Sequence, residues 1–382
     1  MSTQTQPSVA PAALARDRGS WSVTWHGVAT VAKLELRQRL RSTKWYIGLA
    51  LFFAIVGLVT VLTTVTVGDE SVLGTGGFGR VVFDVVVFFI LLLGILVAPT
   101  LSSSAINGDR NAGTLAILQV TLLSPAEIAI GKLLAAWASA LAFLVVSLPF
   151  LAWGLAHGGM SVGPVLVTIG LLAFVLAVVV AMGLGFSALV PKTSSSAVLT
   201  YLSVASLTVI SLIVFALSLT LVTVPTEVRV WGVPPEQEAA WDWESEVEPS
   251  FQCEWRTETW PLPHTERTWW LLAVNPFVVI ADAMPEDAPP ASGDEWGAPS
   301  GILSAVRLGV REARMGPQLE TDQCWTYAAG NSYPGAPRDP DRTPVWPWGM
   351  GALALLGVAG LVTAVRRLSI PVRKLPRGTR VA

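Results

Sequence analysis

The chain predicts an all-α polytopic membrane protein with six transmembrane helices, both termini cytoplasmic, and an α+β extracytoplasmic domain between the fifth and sixth helices. Three observations carry this. Apolar residues make up 52% of the 382 and charged residues only 14%, with a mean hydropathy of +0.57, where soluble domains average about 25% charged. Six stretches reach the ~20 apolar residues that a span needs: 46–67, 81–105, 128–155, 163–190, 197–224 and 346–365. Basic residues gather on one side. Arg37, Arg39, Arg41 and Lys44 precede the first span, Lys132 and Lys192 mark the even-numbered connections, and Arg366, Arg367, Arg373, Lys374, Arg377 and Arg380 follow the last. The other side holds Asp69, Glu70, a lone Arg80 and His157, so the positive-inside rule places both termini in the cytoplasm.

Residues 1–20 are polar, rich in Pro, Ala and Gln, and lack an apolar core, so they read as a disordered cytoplasmic tail with the first span as an uncleaved anchor. Residues 21–45 form an amphipathic helix. Val28, Ala32, Leu36 and Leu40 recur every four residues beside a stripe of Lys33, Arg37 and Arg41, which lays the helix flat on the inner leaflet with Trp25 and Trp45 at headgroup level. The first outer loop contains Gly74, Gly76 and Gly79 in a G-x-G-x-x-G arrangement. That motif binds nucleotide only between a strand and a helix; between two spans it is a hairpin. Asp84, one turn into the second span, is placed to pair with Arg80 at i−4. An acid at membrane depth is also a functional candidate by default. Pro99 and Pro149 are positioned to kink the second and third spans.

The connector between the second and third spans, residues 107–132, is the most informative segment. Ser124-Pro125-Ala126-Glu127 spells a capping box with proline at the first helical position, starting the third helix cleanly. Residues 114–123 are too short to span and read as a short helix lying along the membrane surface. Asp109-Arg110, Gly113-Thr114-Leu115, Ser124-Pro125, Glu127-Ile128 and Gly131-Lys132 together resemble the signature loop of ABC type-2 permeases, the membrane subunits of ATP-driven exporters. The family pattern there is an acid, a base, Gly-Thr-Leu-Glu, a Ser-Pro turn and Gly-Lys. Here Ala116 stands where the second acid is common, and Asp109 replaces the more usual Glu. The resemblance covers roughly residues 33–220 and the last span. It implies an elbow helix at 21–45, a coupling helix near 107–124, and ATPase-coupling contacts at Asp109, Arg110, Gly113, Thr114, Leu115, Glu127 and Lys132, with Lys192 in the next cytoplasmic turn.

In the fourth span, Ala181, Gly183, Gly185 and Ser187 leave a small face suited to close helix packing within one subunit. Ser and Thr at 193–196 are candidates to cap the fifth helix.

Residues 225–345 hold 20 acids against 8 arginines, while the rest of the chain holds 7 acids against 17 bases. An acidic outer domain excludes nucleic acid as a partner, and the inner bases suit anionic lipid. The segment carries 9 of the 16 tryptophans and both cysteines. Cys253 and Cys324, in an oxidising compartment, are expected to form a disulfide. The tryptophans serve either as core or as a surface for amphipathic ligands. Residues 269–284 are broken by Asn275-Pro276 and cannot span; they read as a re-entrant hairpin dipping into the outer leaflet. The turn Asn275-Pro276-Phe277 resembles one frequent in the family's outer helices. The remainder reads as short strands and loops, before Trp346 and Trp348 open the sixth span, followed by a basic tail to residue 382.

No G-x-x-x-x-G-K-[ST] occurs, so the chain has no P-loop. The resemblance therefore implies a permease subunit that binds no cofactor itself. ATP and Mg would sit on separate ABC ATPase subunits, and a second permease, the same chain or a relative, would complete the assembly. The resemblance also implies a path between the two permeases lined by the first, second and fifth spans, and these, almost wholly apolar here, suit export of a hydrophobic or amphipathic substrate such as a drug, lipid or peptide. The alternatives are an ABC-like sensor of envelope stress or antibiotics, and a lipid-linked transferase using Asp69 and Glu70.

Overall fold

The computed structural model describes residues 19–67, 77–115, 123–157, 162–239, 251–284, 301–324, 334 and 343–369. The amino-terminal tail before Gly19, Asp69, Glu70, the glycines at 74 and 76, the connector at 116–122, Trp241, Trp243, Trp296, Trp325 and the bases beyond residue 369 lie outside them.

Helix α1 (Trp25–Leu40) is started by Thr24, whose side chain accepts from the Gly27 amide. α2 (Thr43–Val67) is the first span and α3 (Gly77–Ser102) the second. α4 (Asn107–Asn111) is one turn of the connector. α5 (Pro125–Ala156) and α6 (Val162–Leu189) follow. The fifth span is compound: α7 (Thr193–Ala205), a π turn (Ser206–Ile210) and α8 (Ser211–Val222). Beyond the sheet segment, α13 (Trp346–Leu368) is the sixth. Among the described residues, six helices are thus long and apolar enough to cross a membrane, matching the six expected spans to within a few residues. Pro99 and Pro149 lie inside continuous helices.

The core runs through α3, α5 and α6, whose Phe83, Ile90, Leu91, Leu151, Leu172 and Val179 are buried. The small face of α6 packs within the chain: a Cβ on Gly185 would lie 2.8 Å from Gly360 Cα in α13, and one on Gly360 would lie 2.4 Å from the Ala181 carbonyl oxygen. Side chains are excluded where α6 meets α13. The first and fifth spans differ from these, with 17% of their apolar windows buried against 61% for the fourth. The expectation of Ser/Thr caps on the fifth helix is not met: Lys192 occupies the N-cap without a side-chain bond, and Thr193–Ser196 are already helical.

Between the fifth and sixth spans, β1 (Thr223–Gly232) pairs antiparallel with β2 (Glu254–Pro263) and parallel with β3 (Glu320–Gln323), in the order β2-β1-β3. α9 (Pro235–Ala239) follows β1. β1 starts at the residue after α8 ends, and the His264 amide donates to the Val222 carbonyl at 3.0 Å across that joint. Cys253 and Cys324 are bonded, closing a 71-residue separation beside Val233 and Phe251. The described tryptophans of this segment are half-buried or exposed, and its core is Val228, Val230, Val233, Phe251 and the disulfide.

The hairpin at 269–284 is built as α10 (Trp270–Ala273) and α11 (Pro276–Ala283). Asn275 caps α11 by accepting from the Phe277 amide, with Pro276 at the first helical position. Asn275 Nδ2 also donates to the Thr208 carbonyl at 2.8 Å and to Ser211 Oγ at 3.3 Å, in and just after the π turn. α12 (Ile302–Met315) replaces part of what the sequence reads as strands and loops. Its amphipathic pattern buries Leu303 and Val310 with Arg307 and Arg311. Asp84 is fully buried: Arg80 Nε lies 3.8 Å away, as the i−4 spacing predicts, and the Leu303 amide donates to it at 3.2 Å, so the acid holds the start of α12. Asp282 pairs with Arg311 at 2.7 Å and accepts from the Trp346 amide at 2.8 Å, fixing the start of the last span.

Candidate functional site

The end of the bundle away from the sheet gathers the connector, α1, the first turn of α5 and the turn at Lys192. A local apolar cluster underlies it, including Ile106, Leu115, Ile128, Leu184, Val365 and Leu368. Leu115 is therefore an anchor, the residue being 6% exposed. Ser187 Oγ accepts from the Ile106 and Asn107 amides at 2.9 and 3.1 Å, satisfying donors that the first turn of α4 leaves open. α4 ends after Asn111, and Gly113 takes φ +72°, a left-handed conformation that glycine adopts without steric cost. Arg110, Gly113 and Thr114 are exposed on this corner, and Lys192 is exposed at the next turn.

The capping box at the start of α5 forms as expected. Ser124 Oγ accepts from the Glu127 amide, and Glu127 accepts from the Ser124 amide at 2.8 Å. Glu127 does more than cap its own helix. Its other oxygen accepts from the Thr24 amide at 2.7 Å and from the Thr24 hydroxyl, while Ser124 Oγ donates to the Ser22 carbonyl and the Ala126 amide donates to the Ser20 carbonyl at 3.1 Å. With Glu127 fully buried, one carboxylate joins the N-termini of α1 and α5.

One turn along, Lys132 is 1% exposed and pairs with Glu35 of α1 and Asp109 of α4. The two carboxylates reach water more freely than the ammonium, at 14% and 29% side-chain exposure. A buried cation held by two acids ties three elements together, and removing it leaves both acids uncompensated. Gly131 lets α1 approach: a Cβ there would meet Val31 at 2.6 Å.

The expected coupling residues therefore fall into two groups. Arg110, Gly113, Thr114 and Lys192 form an exposed face, with Asp109 at its edge. Glu127, Lys132 and Leu115 lie inside and join that face to α1 and α5. Thr24 and Glu35 complete the inner lock. Neither is legible as a site residue in the sequence, because their partners are 103 and 97 positions away. No group of three or more metal-ligating side chains exists among the described residues. The lock ties the connector to α1 and α5 through the pairs of Lys132 with Asp109 and Glu35.

Residues 29–283 match the family model described as ABC-2 family transporter protein. No curated protein matches the chain.

Proposed function

This chain belongs to the ABC-2 transporter family, and on that premise we propose that it is the permease subunit of an exporter driven by a separate ATPase. It is a component of a membrane transporter and a multi-pass membrane protein, and its family implies an ABC ATPase as partner. Beyond that, ATP and Mg bind the partner, whose closure pushes the face formed by Arg110, Gly113 and Thr114, and Lys192 takes the second contact. Asp109 passes the displacement to Lys132 and Glu35, and Glu127 carries it to Thr24. The permease then rocks against a second permease by alternating access. The observation that most supports this reading is the exposed corner set on a buried three-element lock.

The shallow burial of the first and fifth spans supports a second permease, or lipid, against them. Their apolar faces favour a hydrophobic or amphipathic cargo such as a drug, lipid or peptide. The side bearing the connector is then cytoplasmic, and the stapled sheet is extracytoplasmic.

The test is extraction of the tagged chain from its native membrane in mild detergent. A co-purifying P-loop ATPase whose hydrolysis falls with Arg110→Glu supports the reading. A chain that emerges alone overturns it.

A further inference from the structure

A second feature of the connector end is a groove of about 470 Å³ between α1, α2 and α3, within the ~300–1,000 Å³ range of small-molecule sites. Its composition is divided. Arg39, Ser42 and Lys44 line it where α1 gives way to α2; apart from Thr100 the rest is apolar, walled by Leu93 and Val97 of α3 and by Phe52 of α2. Gly48 lines it, and a Cβ at that position would just touch the Phe143 ring at 3.8 Å, an ordinary van der Waals contact. From Lys44 to Ile55 the lining runs eleven residue steps along one helix. That is roughly 16 Å at ~1.5 Å per residue, about half of a ~30 Å hydrocarbon core, or one leaflet.

We propose that this groove holds a phospholipid with an anionic headgroup, its phosphate on Arg39 and Lys44 and one acyl chain lying along Gly48 towards Ile55. The polar end and the apolar length match the two halves of such a molecule, and the two cations select the charge. Arg39 is held in place before any lipid arrives, because its guanidinium donates to the Leu101 carbonyl at 2.7 Å, which fixes the side chain at the groove mouth. Burial pulls its pKa below the usual arginine range, with nearby Glu35 opposing the shift. A desolvated cation gains more from a phosphate than a hydrated one does. Glu35 is engaged by Lys132, which limits its attraction for Arg39 and its repulsion of an anion. The α2 residues of the groove belong to a span that buries little of its surface in the chain, so the groove opens to the leaflet.

The experiment is native mass spectrometry of the purified full chain after exchange into nanodiscs of equimolar phosphatidylglycerol and phosphatidylcholine with matched acyl chains. The unmodified protein retains one phosphatidylglycerol in preference. Arg39→Gln with Lys44→Gln lowers that preference by about 10- to 30-fold, as two basic groups at an anionic surface would. Gly48→Leu fills the groove and removes the retained lipid whatever its headgroup; its Cβ meets nothing nearer than Phe143 at 3.8 Å, so the helix accommodates it, and an unchanged thermal midpoint checks this. Arg37→Gln, on the exposed face of α1, changes nothing. Should the Arg39 variant fail to fold, Lys44→Gln alone and Gly48→Leu still decide. Equal retention of both lipids, or lipid held undiminished by Gly48→Leu, overturns the proposal. So does a Gly48→Leu protein that loses a second copy of the chain rather than a lipid, which would make the groove a subunit contact.

Discussion

Asn275 binds the Thr208 carbonyl across 67 residues, at the one place where the fifth span departs from α-helical winding. A π turn displaces the regular ladder of carbonyls, and the buried amide of Asn275 supplies a donor there while its oxygen caps α11. Replacing Asn275 by Ala removes its bonds to Thr208, Ser211 and the Phe277 amide and is expected to cost about 1–3 kcal/mol, read as a lower thermal midpoint in detergent. Asp retains the cap but sets a carboxylate oxygen against the Thr208 carbonyl, so Asn275→Asp falls below Asn275→Ala. The reverse order would show that the cap, and not the bond to the π turn, carries the stability.

Glu127 holds α1 to the bundle through Thr24. Glu127→Ala leaves the Thr24 and Ser124 amides without this acceptor and should release the first turns of α1. Hydrogen exchange over residues 24–31 is expected to accelerate while the core of α6 stays protected. Unchanged exchange in α1 would mean that the Val31–Gly131 contact suffices.

Lys132→Met and Arg110→Glu should separate stability from coupling. The first leaves Glu35 and Asp109 facing each other without their cation. Its cost lies below the ~3–5 kcal/mol of a fully buried broken pair, because both acids reach water. The second alters an exposed side chain and leaves the thermal midpoint unmoved, while ATP hydrolysis driven through the permease falls. If Arg110→Glu lowered the midpoint as far as Lys132→Met, the exposed corner would be structural.

The α6–α13 crossing tolerates no added carbon. Gly360→Val drives a side chain into the Ala181 carbonyl and is expected to cost more than the ~1–3 kcal/mol of ordinary overpacking. Gly351→Ala, with nothing within 4 Å of the new carbon, is neutral or better. Thermal midpoints of the two variants check the contrast.

Reducing the Cys253–Cys324 bond removes a crosslink over 71 residues, worth about 4 kcal/mol in a chain-entropy account. The loss should fall on the sheet segment alone: proteolysis within residues 223–323 accelerates, and the span bundle keeps its midpoint. A bundle that melts with the sheet would show that the two fold as one unit.

Much of this architecture is legible in the sequence because its signals are local. Runs of apolar residues mark the spans, Ser124 and Glu127 stand three apart as a capping box requires, and Asn275-Pro276 announces a helix start. The two cysteines find each other for want of any other partner. What cannot be read depends on distance. Nothing near Lys132 in sequence says that it is buried between Glu35 and Asp109, and Thr24 looks like a helix cap until Glu127 arrives from 103 residues away. α12 escapes a sequence reading for a different reason. Leu303, Val306 and Val310 have helical spacing, but Arg307 and Arg311 occupy its buried side, so the apolar stripe is broken by charge. Asp84 has its partner Arg80 in view, yet its depth follows from α12 resting on it.

The joint at Val222 and Thr223 has no slack. A ten-residue strand extends about 33 Å at ~3.3 Å per residue, so a tilt of the fifth span by about five degrees carries the far tip of β1 through about 3 Å. A pair of labels at Gly232 and on the first span would read such a tilt at the far end of β1, where the strand's length enlarges it most.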